Sequence, residues 1–438
     1  MNLRQLASCG LVCALALVGC DGGRQTPPRV NVVIVNAAPG FADLNFRREQ
    51  TQPSQLLFKD AQEVSWDTDA YDFYVHGLDA NTVEQTWTFT RTLVGDTRYI
   101  FVLTDVAGAV VPIVLEHGQA PSADAQILAA HGGGGLPAMD LYLERPGVGI
   151  GGATPRGSLA ANGQLAARTL PSGEYELRLT AAGDPATVLY TSPIITLGAG
   201  TTTALIVTPE GGETTAPFSI QFVQSVSDVL FDRNAPTELR ALNAATDRQP
   251  RDFAINREFA PPLFSAVPFG SQTSYALVPA SAALPINVTP PANPGVLELD
   301  QNVATFAALR YTVFFTGDAG TLTHVVAIDD YRRVYGLAKL RFFNTARQFT
   351  DPIELALVPP GGIPDQFGGQ LTLVAPSAST HTLLAPGTYD LYLRRPVTNE
   401  ILSGPTPITL AERGIYTVLA VNGPNNTTAE VVLLDDFP

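Results

Sequence analysis

Short runs of alternating hydrophobic and polar residues recur along the whole chain. Tyr175, Leu177 and Leu179 alternate with Glu176, Arg178 and Thr180, and Tyr389, Leu391 and Leu393 alternate with Asp390, Tyr392 and Arg394. Neighbouring side chains on a strand point to opposite faces, so each run predicts a strand with one face on a core and one in water. A turn precedes both runs, Pro171-Ser172-Gly173 in one and Ala385-Pro386-Gly387 in the other. Proline presets a turn dihedral and glycine accepts positive φ, so these turns mark where the strands begin. The two strands belong to a longer repeat. Leu170 to Val207 matches Leu384 to Val421 without a gap, with 11 of 38 residues identical, among them Tyr175/Tyr389, Pro193/Pro407, Gly200/Gly414 and Val207/Val421. No amphipathic helical run of convincing length appears. Many short segments, punctuated by 38 glycines and 35 prolines, predict an all-β protein built of sandwiches.

The same texture divides the chain into four units. Openings occur at Arg29 to Val35, Ala125 to Leu128, Glu238 to Leu242 and Leu337 to Phe343, and aligning Asn36, Ala129, Asn243 and Asn344 sets them in one register. Second strands follow at Ala42 to Phe46, Met139 to Leu143, Asp252 to Ile255 and Ile353 to Leu357. Closing strands run from Arg98, Thr202, Arg310 and Ile415, with Tyr99, Thr203, Tyr311 and Tyr416 in one register. Units of about 100 residues suit seven-stranded sandwiches. The expected sandwiches are residues 29–120, 123–227, 236–331 and 336–438. The third is the most diverged, and its stretch from Pro279 to Pro294 leaves the middle strands unplaced.

The N-terminus adds an address. A basic start and the apolar run Leu11 to Val18, too short to cross a bilayer, predict a secretory signal over residues 1–19. The run ends Leu17-Val18-Gly19-Cys20, which resembles the lipobox of bacterial lipoproteins. The resemblance implies lipidation of Cys20, with residues 20–28 as the lipidated cysteine and a tether. The expected location is the bacterial cell envelope, facing the periplasm or the surface. Asp21 resembles the inner-membrane retention signal of enteric bacteria, and the leaflet stays open. Cys9, Cys13 and Cys20 are the only cysteines, so the domains contain no disulfide and no thiolate metal site. Without residues 1–19 the chain holds 41 acidic and 25 basic residues, a balance of −16 that argues against nucleic acid as a partner. Of the 26 basic residues only Lys59 and Lys339 are lysine.

The openings and the Gly-x-Tyr-x-Leu-x-Leu strands resemble tandem bacterial envelope domains catalogued as a domain of unknown function. That family has an Asn-Ala-x-Pro opening, a Pro-x-Gly-x-Tyr strand and a closing Tyr-Thr-Val strand. Arg29 to Pro39 and Leu170 to Val207 carry the likeness best. The resemblance implies immunoglobulin-like sandwiches outside the cytoplasm. It implies no activity and supplies no catalytic residues.

Candidate chemistry is sparse. His131 followed by Gly132 to Gly135 looks like the oxyanion loop of esterases, but the chain has no Gly-x-Ser-x-Gly elbow, so a plain interstrand loop is expected. Asp67, Asp69 and Asp72 are the acidic cluster best suited to Ca²⁺, although the EF-hand spacing fails and a solvated loop is the plainer reading. Asp329-Asp330 and Asp435-Asp436 sit near unit junctions, where carboxylates can hold Ca²⁺ or simply meet solvent. No two of the five histidines have zinc-type spacing. Trp66, Trp87 and Tyr392 could stack on sugars or fill cores. The expected function is non-catalytic: a lipid-anchored envelope protein presenting four sandwiches as an interaction, adhesion or spacer module. Its partners would be the membrane, through the lipid, and a protein or glycan. The alternative is a lipoprotein that binds a polysaccharide or small ligand in sandwich end loops, with a hydrolase a distant third.

Overall fold

The computed structural model describes residues 28–437 except 80, 82, 213, 225, 292, 365–370 and 426. The signal segment, Cys20, Asp21 and the tether up to residue 27 lie outside the described residues. The first unit contains β1 (Arg29–Asn36), β2 (Asp43–Arg48), β3 (Ser54–Leu57), β4 (Ala61–Asp67), β5 (Ala70–Leu78), β6 (Glu84–Thr92), β7 (Arg98–Val106) and β8 (Ala109–His117). These form two four-stranded sheets, in the orders β4-β1-β7-β8 and β3-β2-β5-β6. β1 and β7 run parallel, and the other pairs are antiparallel.

The other three units repeat this order sheet for sheet, so each sandwich has at least eight strands rather than the expected seven. The second unit adds an edge strand, Ser227–Leu230, beyond the expected boundary at 227. In the third, the unplaced stretch contains the strand Ser281–Thr289. Its Pro285 lies just past the end of the ladder with Arg251–Ile255, where no amide is needed on that side. Each unit has a core of its own between its two sheets.

The motif residues hold corners of this fold. Asn243 Oδ1 accepts from the Ala245 N–H, and its Nδ2 donates to the Val267 and Gln249 carbonyls. Asn36 and Asn344 make the same turn and reach the Leu56 and Leu373 carbonyls. In the second unit the parallel ladder places His131, not Ala129, at this position. There His131 Nδ1 accepts from the Gly133 N–H at 3.0 Å, which explains the His-Gly pair as a corner rather than an oxyanion loop. The tyrosines behave alike. The hydroxyls of Tyr71, Tyr175 and Tyr389 donate to the carbonyl four residues earlier. Those of Tyr99, Tyr311 and Tyr416 accept from the amide five residues earlier.

The long repeat holds along its first strand and then slips by one residue. Tyr175 pairs with Ile195, but Tyr389 pairs with Ile408, one position short of the ungapped match. Both hairpins contain register shifts, placed differently, and a shift of one residue reverses the face of all that follows. Thr203 therefore corresponds to Tyr416, as the closing-strand register predicts.

The units do not stand in line as separate beads. Val33, Val35, Ile100, Val102, Ile113 and Leu115, on the outer face of the β1/β7 sheet, pack against Leu128, Ala130, Ala204, Ile206 and Val223 of the second unit. The third and fourth units pack in the same way through Leu242, Ala244, Phe314, Phe343, Leu419 and Val421. The protein is thus two back-to-back pairs of sandwiches, with the first and seventh strands of every unit buried on both faces.

Candidate functional site

The acidic cluster of the first unit is not drawn together. Asp67 lies 3.7 Å from Arg29, Asp69 accepts from the Ala70 amide, and Asp72 accepts from Thr90 Oγ1 on the neighbouring strand. Among the described residues no group of three His, Cys, Asp or Glu side chains is placed to hold a metal. Trp66 packs on Phe46 and Phe73, and Trp87 meets Phe41 edge-on, so both belong to the first core. Tyr392 is half-buried.

Asp329 and Asp436 are neither solvated nor grouped for calcium. They are buried between the third and fourth units in a reciprocal cluster with Arg240 and Arg341. Each arginine Nε donates to a threonine of its own unit, Arg240 to Thr312 at 2.8 Å and Arg341 to Thr417 at 2.7 Å. Each terminal guanidinium then reaches the aspartate of the other unit, Arg240 to Asp436 and Arg341 to Asp329. The two halves follow one rule, as in an isologous interface. Burial would push the Asp436 carboxyl up, but His381, Arg341 and Arg240 outweigh it and hold the group at about 2. Burial likewise opposes Asp329, and Arg341 and Arg240 still hold it below the usual carboxylate range. Burial pushes the neighbouring Tyr275 hydroxyl far up, with the Asp329 charge adding to it, and that hydroxyl donates to Asp329 at 2.6 Å. In the first pair the positions equivalent to the two arginines and their threonines are Val33, Leu128, Ile100 and Ala204, all apolar.

Two cavities open where the sandwich pairs meet. The first, about 450 Å³, draws its walls from all four units and the segments between them. Lys59 and Lys339, the two lysines of the chain, both line it. Lys59 Nζ lies 2.6 Å from Glu210 Oε1 and within about 5 Å of the Phe58 and Phe231 rings. Lys339 is paired with Asp330. Burial pulls the Lys339 amine down to about 8, while Asp330 opposes the shift. Arg332 lies over the Phe58 ring and donates to the Pro39 and Phe41 carbonyls, tying the two pairs together. Tyr335 adds an edge-on contact with Phe41, and its backbone N–H donates a hydrogen bond to the Gly40 carbonyl.

The second cavity, about 830 Å³, lies between the second, third and fourth units. Tyr275, Tyr331, Phe437, Arg240, Arg310 and Arg333 are among its walls, and Tyr275 stacks on Phe437 at 6.0 Å. Arg310 and Tyr331 border both cavities. Sequence reasoning missed both sites because each is assembled from residues of several units. For the first cavity one signal was available: the chain uses lysine twice, and both lysines line it.

Compared with known protein families and with curated proteins, the chain matches none.

Proposed function

We propose that this is a non-catalytic, lipid-anchored protein of the bacterial cell envelope, held at the membrane through Cys20 and presenting its four sandwiches as one rigid interaction body. The observation that carries this reading is the double back-to-back packing. It joins the units face to face, which shortens the reach a spacer would need and fixes the surfaces an interaction module must present. The recurring asparagines and tyrosines support it, because their polar atoms hold corners of the sandwiches and face no common site. The test is fractionation of cells expressing the full chain or Cys20→Ser. Wild type should label with a radioactive fatty acid and sediment with membranes, and the variant should do neither. Equal behaviour of the two would refute the anchor.

A second reading, glycan binding, is favoured by the larger cavity, where stacked Tyr275 and Phe437 lie beside three arginines. Aromatic faces and hydrogen-bonding cations suit a sugar ring and its hydroxyls. Phe437→Ala should abolish binding on an envelope-glycan panel, and a panel on which wild type binds nothing would remove this reading.

A further inference from the structure

We propose that the cavity shared by all four units is a binding site for a small organic anion with an apolar body, such as a carboxylate on a short hydrocarbon. This goes beyond the anchoring and interaction reading, and its test needs no lipid.

The argument begins with charge. The protein carries −15 overall, yet this cavity gathers Lys59, Lys339, Arg310 and Arg332. Lys59 is matched by Glu210, Lys339 by Asp330, and Arg310 by Glu238 at 2.7 Å. Asp329 belongs to the four-charge cluster, which is neutral as a set. That leaves Arg332, which among the described residues forms no ion pair. The charges of Asp330 and Glu210 act on it, but both carboxylates are already bonded to lysines. One positive charge is therefore in excess, enough for one monoanion.

Shape and lining complete the class. Leu57, Phe58, Phe231, Leu309 and Leu383 supply apolar wall. A volume of about 450 Å³ lies within the range of small-molecule sites, which pair apolar walls with a few polar anchors. Arg332 is the charge an incoming anion would meet, and Lys59 and Lys339, kept on their own carboxylates, are the other positive ends at the same wall. Because all four units contribute wall, a bound anion would hold the two pairs together, and only the folded assembly can bind it.

The test uses the chain from Asp21, which retains every described residue, with three six-carbon probes: hexanoate, hexylammonium and 1-hexanol. Titration calorimetry should show one hexanoate site, and saturating hexanoate should raise the thermal midpoint by about 3 °C or more. The other two probes should do neither. Lys59→Met should weaken hexanoate binding at least about tenfold, the usual loss when one partner of a partly buried charge contact is truncated. Leu383→Trp, at a position 41% exposed, should block the cavity without removing a charge or disturbing a core, and it serves if the lysine variant does not fold. The proposal is overturned if hexanoate gives neither heat nor shift, if hexylammonium or hexanol binds equally well, or if hexanoate binding survives Leu383→Trp.

Discussion

Removing Asp329 should cost far more than removing the whole charged cluster to which it belongs. In Asp329→Ala, Arg240 and Arg341 keep a single carboxylate between them at positions 2% and 1% exposed. Thr312 Oγ1 and the Tyr275 hydroxyl lose an acceptor at 2.7 and 2.6 Å. Stripping one partner from a buried ion pair costs about 3–5 kcal/mol, because the remaining charge stays buried without compensation. With a urea slope of about 2.5 kcal/mol/M, the midpoint should fall by roughly 1–2 M. Replacing all four charges by apolar side chains of similar volume (Arg240→Met, Arg341→Met, Asp329→Leu and Asp436→Leu) leaves no buried charge, and such exchanges are often neutral or stabilising. The hydroxyls of Tyr275, Thr312 and Thr417 would lose partners, at about 1 kcal/mol each. The quadruple variant should therefore unfold at higher urea than the single one. The assay is urea unfolding of the chain from Asp21 by circular dichroism, with tryptophan fluorescence alongside. Both tryptophans lie in the first unit, so fluorescence should move less than the dichroism. A quadruple variant weaker than Asp329→Ala, or a single variant within about 0.3 M of wild type, would refute the reasoning.

Acid should act through the same cluster. Asp436 has a folded-state value of about 2, below that of an unfolded carboxylate, so its contribution is present at neutral pH and is lost as pH falls from about 4 toward 2. Thermal midpoints should fall across that window in wild type and less in the quadruple variant, and parallel curves would remove the cluster from acid stability. Asn344→Ala deletes a buried hydrogen bond from the Ala346 amide and a partly buried one to the Leu373 carbonyl, a loss of about 2–3 kcal/mol on urea unfolding. His131→Asn should cost less than His131→Ala, since asparagine fills this corner in the other three units, and equal losses would argue against the corner role. Residues 28–120 alone would expose Val33, Val35, Ile100, Val102 and Leu115, so this fragment should self-associate by light scattering while residues 28–230 stay monomeric. A monodisperse fragment at high concentration would contradict the pairing.

Much of each sandwich was legible because its strands obey a period of two. The run Tyr175-Leu177-Leu179 alternates, and its three apolar residues do enter the second core, but Glu176 and Thr180, expected in water, are buried, Glu176 as the partner of Arg178 and Arg233. The opening and closing strands carried a different message. Val32-Val33-Ile34-Val35 and Ile100-Phe101-Val102-Leu103 do not alternate, and an unbroken apolar run of strand length means burial on both faces. That pattern predicts a second layer behind the sheet, which is where the neighbouring sandwich sits. The register of the second opening failed for a local reason. Ala129-Ala130 imitates the Ala-Ala that follows asparagine elsewhere, whereas the corner itself is made by His131 with a ring nitrogen in place of an amide oxygen.

The charged interface and the shared cavity were illegible for a deeper reason. Arg240 and Asp436 are 196 residues apart, and Lys59 and Glu210 are 151 apart, so no local spacing links them. Asp329 and Asp436 resembled solvated junction acids because a carboxylate beside a Gly- or Arg-rich segment is usually exposed. One comparison within the chain did point inward. Arginine in the middle of an otherwise buried opening strand, opposite threonine in the closing strand, occurs at one register in the third and fourth units and is replaced by Val33 with Ile100 and Leu128 with Ala204 in the first two. A strand buried on both faces can accept an arginine only if the facing layer supplies a carboxylate. Two such arginines in adjacent repeats call for two carboxylates, and Asp329 and Asp436 supply them, each within 4 Å of both arginines. The apolar pair and the charged pair are two solutions to the same back-to-back geometry. The charged one is also the more selective, because on an apolar sheet each arginine would keep the aspartate of its own unit but lose the cross-unit one, a penalty that disfavours docking the third unit on the apolar backs of the first two.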